Sequence, residues 1–199
     1  FDLYSGKPSG RINLPVPGDL LDASPSGRLA LVRSGGQRLD VYSFDDGKRS
    51  CGFRPWQAPR GEKDPPRVSA WFVDDEHVLT LAGRGPSELV LWEAPKCRAV
   101  YACTIAGASR GAMTPGRKYV AVLDEGRIVL LESLTGEVKG CLTIPPAVGR
   151  LAWEPGQAAF SLDGTRLAVT SDASGLAELL AWDLTTGQLI ADAHAVASG

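Results

Sequence analysis

The side chains best suited to chemistry are few and scattered. The chain has two histidines, His77 and His194, and four cysteines, Cys51, Cys97, Cys103 and Cys141. His77 follows Asp74-Asp75-Glu76, and an imidazole among carboxylates is the material of acid–base or metal chemistry. This acidic run stands in a short polar stretch between apolar segments, where Asp is an ordinary turn residue. No Gly-x-Ser-x-Gly elbow presents a nucleophile. "FDDGK" (44–48) lacks calcium-loop spacing and reads as a turn. "GRGPSE" (83–88) joins strand to strand, whereas a phosphate cradle needs a following helix. No catalytic residue and no metal or cofactor set is assigned.

No cysteine pair has the Cys-x-x-Cys spacing of a zinc site. Cys97 and Cys103 on one extended strand would stand roughly 20 Å apart, too far for a bridge. The cysteines are therefore expected as packed free thiols in a reducing compartment. A disulfide between separate segments stays open.

These residues need elements to hold them. The 199-residue chain is 44% apolar and 22% charged, enough for a substantial core. Its net charge of −2 offers no electrostatic footprint for nucleic acid. No apolar run approaches a membrane span. The 23 glycines and 14 prolines punctuate short apolar runs, the pattern of many strands and turns.

Those runs repeat. Tyr42, Trp92, Leu131 and Trp182 each close an apolar strand, and Gly47, Gly136 and Gly187 follow in three of the four turns, with Lys96 near that point in the remaining one. A second landmark precedes each: Leu29, Val78, Tyr119 and Leu167 open a strand after a turn rich in Pro, Asp or Gly. Between the landmarks lies a further hairpin turn. Four strands in some 40–50 residues is the unit of a β-propeller blade. The expected fold is all-β, with blades near 17–56, 67–106, 110–146 and 150–194. Residues 1–16 would be the end of a preceding blade, with an outer strand at about 10–15.

Trp182-Asp183 and the turns "SPSGRLALV" and "SLDGTRLAVTS" resemble the WD40 repeat family, in a divergent, bacterial-type form. That resemblance implies a rigid platform for protein partners, as part of a larger multidomain protein. Rings of that family usually hold seven or eight blades, so four would be a fragment, half of a two-chain ring or a closed small ring; a fragment or a homodimeric half is the favoured reading. The cytoplasm is the favoured compartment, since no secretory signal is visible, although the chain begins at Phe1.

Partner-facing residues are expected on long connections between blades: Arg54, Trp56 and Arg60 in the first, Arg150, Trp153 and Glu154 in the third, with Arg84 on a hairpin of the same face. Trp and Arg are common interface anchors. Trp56 and Trp153 also suit plugs between blades, Trp153 the more so. Expected partners are proteins, not nucleic acid or membrane. The rival reading is an enzyme or small-ligand sensor using the central channel, for which the inner strands supply only Asp19, Asp22 and Arg67.

Overall fold

The computed structural model describes residues 17–35, 38–56, 68–83, 86–106, 111–124, 126–145, 158–171 and 177–195. Within them the chain forms four antiparallel four-stranded sheets, each in simple chain order. The first holds β1 (Gly18–Ala23), β2 (Leu29–Ser34), β3 (Arg38–Ser43) and β4 (Arg49–Phe53). The second holds β5 (Val68–Phe72), β6 (His77–Gly83), β7 (Ser87–Glu93) and β8 (Arg98–Ile105). The third holds β9 (Gly111–Met113), β10 (Tyr119–Asp124), β11 (Arg127–Glu132) and β12 (Val138–Thr143). The fourth holds β13 (Ala158–Phe160), β14 (Arg166–Ser171), β15 (Ala177–Asp183) and β16 (Leu189–Ala195). First strands of neighbouring sheets lie side by side, β1 by β5 and β9 by β13. This is the layout of propeller blades around an axis. The 10–15 strand expected from the sequence lies outside the described residues.

The central strands of the second and third blades are largely apolar on both faces because a neighbouring blade covers each face. Leu31, Leu39, Val41 and Phe53 of the first blade pack on Val68, Ala70, Phe72 and Val78 of the second. Leu79, Leu81, Leu89 and Leu91 of the second meet Val120, Val122, Val129 and Leu131 of the third. Ala121, Leu123, Ile128 and Leu142 of the third meet Leu167, Val169, Leu180 and Trp182 of the fourth. The Phe53 and Trp92 rings stack across the first junction, centroids 4.8 Å apart, and Trp92 Nε1 donates to Thr80 Oγ1 at 2.9 Å. The large residues of the repeat are thus core packing.

One irregularity recurs in every blade. The pairing of third and fourth strands slips by one residue at Val41/Tyr42, Leu91/Trp92, Leu130/Leu131 and Ala181/Trp182. Each slip is a bulge on the outer strand, and a bulge sharpens twist and blunts an exposed edge. The repeated large residue marks that bulge. Opposite it on the second strand stand Ala30, Val78, Val120 and Leu167. The landmarks Leu29 and Tyr119 open β2 and β10 as expected, and Val78 and Leu167 stand one residue inside β6 and β14.

The turn after each third strand is equally regular. Gly47, Gly136 and Gly187 each stand four residues beyond the strand's last residue, at φ of 68°, 72° and 71°. In the second blade that place belongs to Cys97, at φ 52°, and not to Lys96. Cys97 is bonded to Cys51 of β4, with Cα atoms 5.8 Å apart. The expectation of four free thiols is corrected here: bending outer strand and neighbouring turn bring the two together across 46 residues of sequence. Cys103 and Cys141 are free.

Candidate interaction surface

Carboxylates in the turns act on their own backbone. Asp183 Oδ1 accepts the amides of Thr185 and Thr186 at 2.8 and 3.1 Å. Asp163 Oδ1 accepts the Thr165 amide at 3.0 Å and the Ser161 hydroxyl at 2.6 Å, contacts that hold its carboxyl at a pKa of about 2. In the acidic run beside His77, Asp74 has the same role. Asp74 Oδ1 accepts the amides of Glu76 and His77 at 2.8 and 2.7 Å and faces His77 Nδ1 at 2.9 Å. Asp75 accepts the Ser26 amide of the first blade at 3.1 Å.

The inner-strand charges are likewise engaged. Asp19 pairs with Arg33 at 2.7 Å. Asp22, on β1, accepts Arg117 Nη1 at 2.6 Å and Nη2 at 3.1 Å, and also takes the Phe72 amide of β5 at 2.9 Å. Arg117 further donates to the carbonyls of Phe72 and Ala23, at 2.5 and 3.2 Å. It sits in the turn between β9 and β10 at φ 57°, so one guanidinium ties three blades together. Arg67 lies outside the described residues, and among those described no three His, Cys, Asp or Glu converge as a metal site.

Of the partner-facing candidates, Arg54 and Trp56 are described. Arg54 follows β4 and is exposed. Trp56 is half-buried and packs against the apolar cluster between the first two blades. Arg60, Arg84, Arg150, Trp153 and Glu154 lie outside the described residues.

Arg54 has neighbours that sequence reasoning missed. It lines an open cleft of about 580 Å³ on the first blade, together with Ser34, Arg38, Asp40, Tyr42 and Arg49. Asp40 is only 2% exposed. Its Oδ1 accepts Arg38 Nε at 2.9 Å and lies 3.5 Å from Arg49 Nη1, while its Oδ2 accepts the Ser34 hydroxyl at 2.7 Å. The signal was present in the repeat: the place of Asp40 is filled by Val90, Val129 and Leu180 in the other blades.

No protein-family profile matches the chain, and no curated protein matches it in sequence. Among solved structures it is similar to the crystal structure of BamB from Moraxella catarrhalis, with a TM-score of 0.62 and 15% identity, over 87% of this chain and 48% of that one. The chain spans about half the length of that structure. With the four antiparallel sheets, this likeness shows the fold, a partial β-propeller.

Proposed function

We propose that this partial propeller is a non-enzymatic protein-interaction scaffold, a divergent WD40-like portion of a larger bacterial protein. The observation that carries the reading is the use of Asp22. The inner-strand carboxylate of Asp22 is held by Arg117, the Phe72 amide and the Ala23 amide, which makes it a fastener between blades. Stacked blades with fixed rims limit the ordering cost of binding a protein. The neighbour supports the same reading only at the level of fold. Three closures fit four blades: more of the same chain, a second copy, or a small ring closed on itself. The Cys51–Cys97 bond supports an oxidising compartment in place of the reducing one inferred from the cysteine spacing.

The test is a thermal-shift screen of metabolites and cofactors, since a ligand of the folded state raises the melting temperature by mass action. The scaffold reading expects no low-molecular-weight compound to give a saturable shift. A saturable shift from such a compound would move the protein to the small-ligand class.

A further inference from the structure

At the junction of the third and fourth blades we infer a docking site for a tyrosine side chain of a protein partner, built from Gly140, Gly187 and the Leu184 carbonyl. The inference rests on the scaffold reading and gives it a place and a chemistry.

Each outer strand meets the turn of the next blade at one fixed place. On the outer strand it is the residue paired just before the bulge: Cys51 with Val41, Tyr101 with Leu91 and Gly140 with Leu130. In the next blade it is the left-handed turn residue: Cys97, Gly136 and Gly187 in turn. At the first junction the two are bonded, Cys51 to Cys97. At the second, the Tyr101 ring lies against Gly136, where an added Cβ would stand 2.7 Å from it, and the hydroxyl donates to the Ser133 carbonyl at 2.8 Å. At the third, both residues are glycine. Leu130, directly across from Gly140, packs on the cluster shared with the fourth blade, so Gly140 turns toward that blade. A Cβ at Gly140 or at Gly187 would meet nothing within 4 Å, so the place is open.

The rest of the third junction matches the second. Ser133 and Leu184 are equivalent: the Ser133 amide donates to the Lys118 carbonyl at 2.9 Å and the Leu184 amide to the Thr165 carbonyl at 2.8 Å. Tyr101 occupies the Ser133 carbonyl, whereas the Leu184 carbonyl accepts no hydrogen bond among the described residues. Gly136, under the Tyr101 ring, is half-buried, and Gly187 is exposed. Leu189 stands opposite Trp182, on the side facing the third blade, and is 36% exposed. It supplies an apolar wall two residues beyond Gly187. The place lies at the outer strand, with the blade on each side of it already present, so no further blade of the ring would cover it.

The second junction shows what fits. A tyrosine ring covers a glycine that lets it approach closely, and its hydroxyl finds a turn carbonyl. A phenol offers both an apolar face and a donor. The third junction keeps the glycine and the carbonyl and lacks the tyrosine, so a tyrosine from a partner completes it. Leucine would cover the glycine and leave the carbonyl unpaired, and a carboxylate would set oxygen against oxygen.

The experiment follows backbone amide NMR signals of the isotope-labelled full chain during titration with a capped Gly-Ser-Tyr-Ser-Gly peptide. Parallel titrations use Phe or Leu in place of Tyr. The tyrosine peptide should shift the Gly140, Gly187 and Leu189 signals together and saturably. The phenylalanine peptide should bind about five-fold more weakly for want of the hydroxyl, and the leucine peptide at least ten-fold more weakly. Gly140→Tyr puts the chain's own ring in the open place, so it should raise the melting temperature and weaken the tyrosine peptide at least ten-fold. Leu189→Ser should weaken it at least three-fold at unchanged melting temperature, and decides the matter if Gly140→Tyr does not fold. Equal affinity for the tyrosine and leucine peptides, signal changes away from this junction, or no saturable change would overturn the site and leave the scaffold reading standing. Free tyrosine bound there as tightly as the peptide would overturn both, because the junction would then be a small-ligand site.

Discussion

Arg117 reaches from the third blade across the second to Asp22 of the first, its Nη1 2.6 Å from Oδ2 and its Nη2 3.1 Å from Oδ1. The side chains are 25% and 19% exposed, so solvent screens the pair only in part. Removing Arg117 strands a half-buried carboxylate and the Phe72 carbonyl together. Arg117→Ala should cost about 2 kcal/mol, less than a fully buried pair and more than a surface one. Arg117→Gly removes the same contacts but suits the φ of 57°, so it should be about 1 kcal/mol less damaging. Urea unfolding of both variants and of Asp22→Asn, run as a double-mutant cycle, measures the coupling.

Gly136 shows what separates one repeated turn from another. Its φ is 72°, and an added Cβ would stand 2.7 Å from the Tyr101 ring, whose hydroxyl donates to the Ser133 carbonyl at 2.8 Å. Gly187 has nearly the same φ of 71° and nothing within 4 Å of such a Cβ. Gly187→Ala should therefore cost about 1 kcal/mol, the left-handed backbone penalty alone. Gly136→Ala should cost about 2 to 3 kcal/mol, because the ring must move as well. Chemical unfolding of the two variants decides it, and equal losses would mean that Tyr101 is free to yield.

The Cys51–Cys97 bond closes a loop between neighbouring blades with a sequence separation of 46. Loop-closure entropy for that length is worth up to about 4 kcal/mol. Reductant should lower the melting temperature of the wild type and leave the Cys51→Ser/Cys97→Gly double variant unmoved. Glycine is chosen at 97 because the other three blades carry it there. Intact mass before and after alkylation counts the bonded thiols.

Much of the architecture was legible in the residues, for a physical reason. Tyr42, Trp92, Leu131 and Trp182 recur because each marks the same bulge, and three of four turns need glycine for a left-handed backbone. The second blade hid its turn by placing Cys97 where glycine was expected, so the disulfide was hidden too. Asp22 and Arg117 are 95 residues apart, and no periodicity announces such a pair. The arginine cleft was half visible. Arg54 was picked out by its connection, but Asp40 and Arg49 become conspicuous only when the four blades are compared residue by residue in register.

Acid should loosen the turns in a defined window. Serine and threonine hydrogen bonds lower the Asp163 carboxyl from 3.8 to about 2, and those of Thr185 and Thr186 lower Asp183 as well. A carboxylate depressed by folding binds fewer protons in the folded chain, so its contribution is complete above 3.8 and is lost as pH falls toward 2. Asp163→Asn should flatten the acid limb of stability in that interval and leave the neutral region little changed. Circular dichroism against pH, wild type beside variant, reads this out.

The scaffold claim is met most directly by photo-crosslinking in cells beside the junction of the third and fourth blades. Ile190, 50% exposed on β16 next to Leu189, is the place for benzoylphenylalanine. Leu162, 93% exposed in the turn between β13 and β14, is the control position. The account predicts a discrete protein adduct from position 190, absent from position 162 and lost with Gly140→Tyr. No adduct at position 190, or the same adducts from both positions, would contradict it.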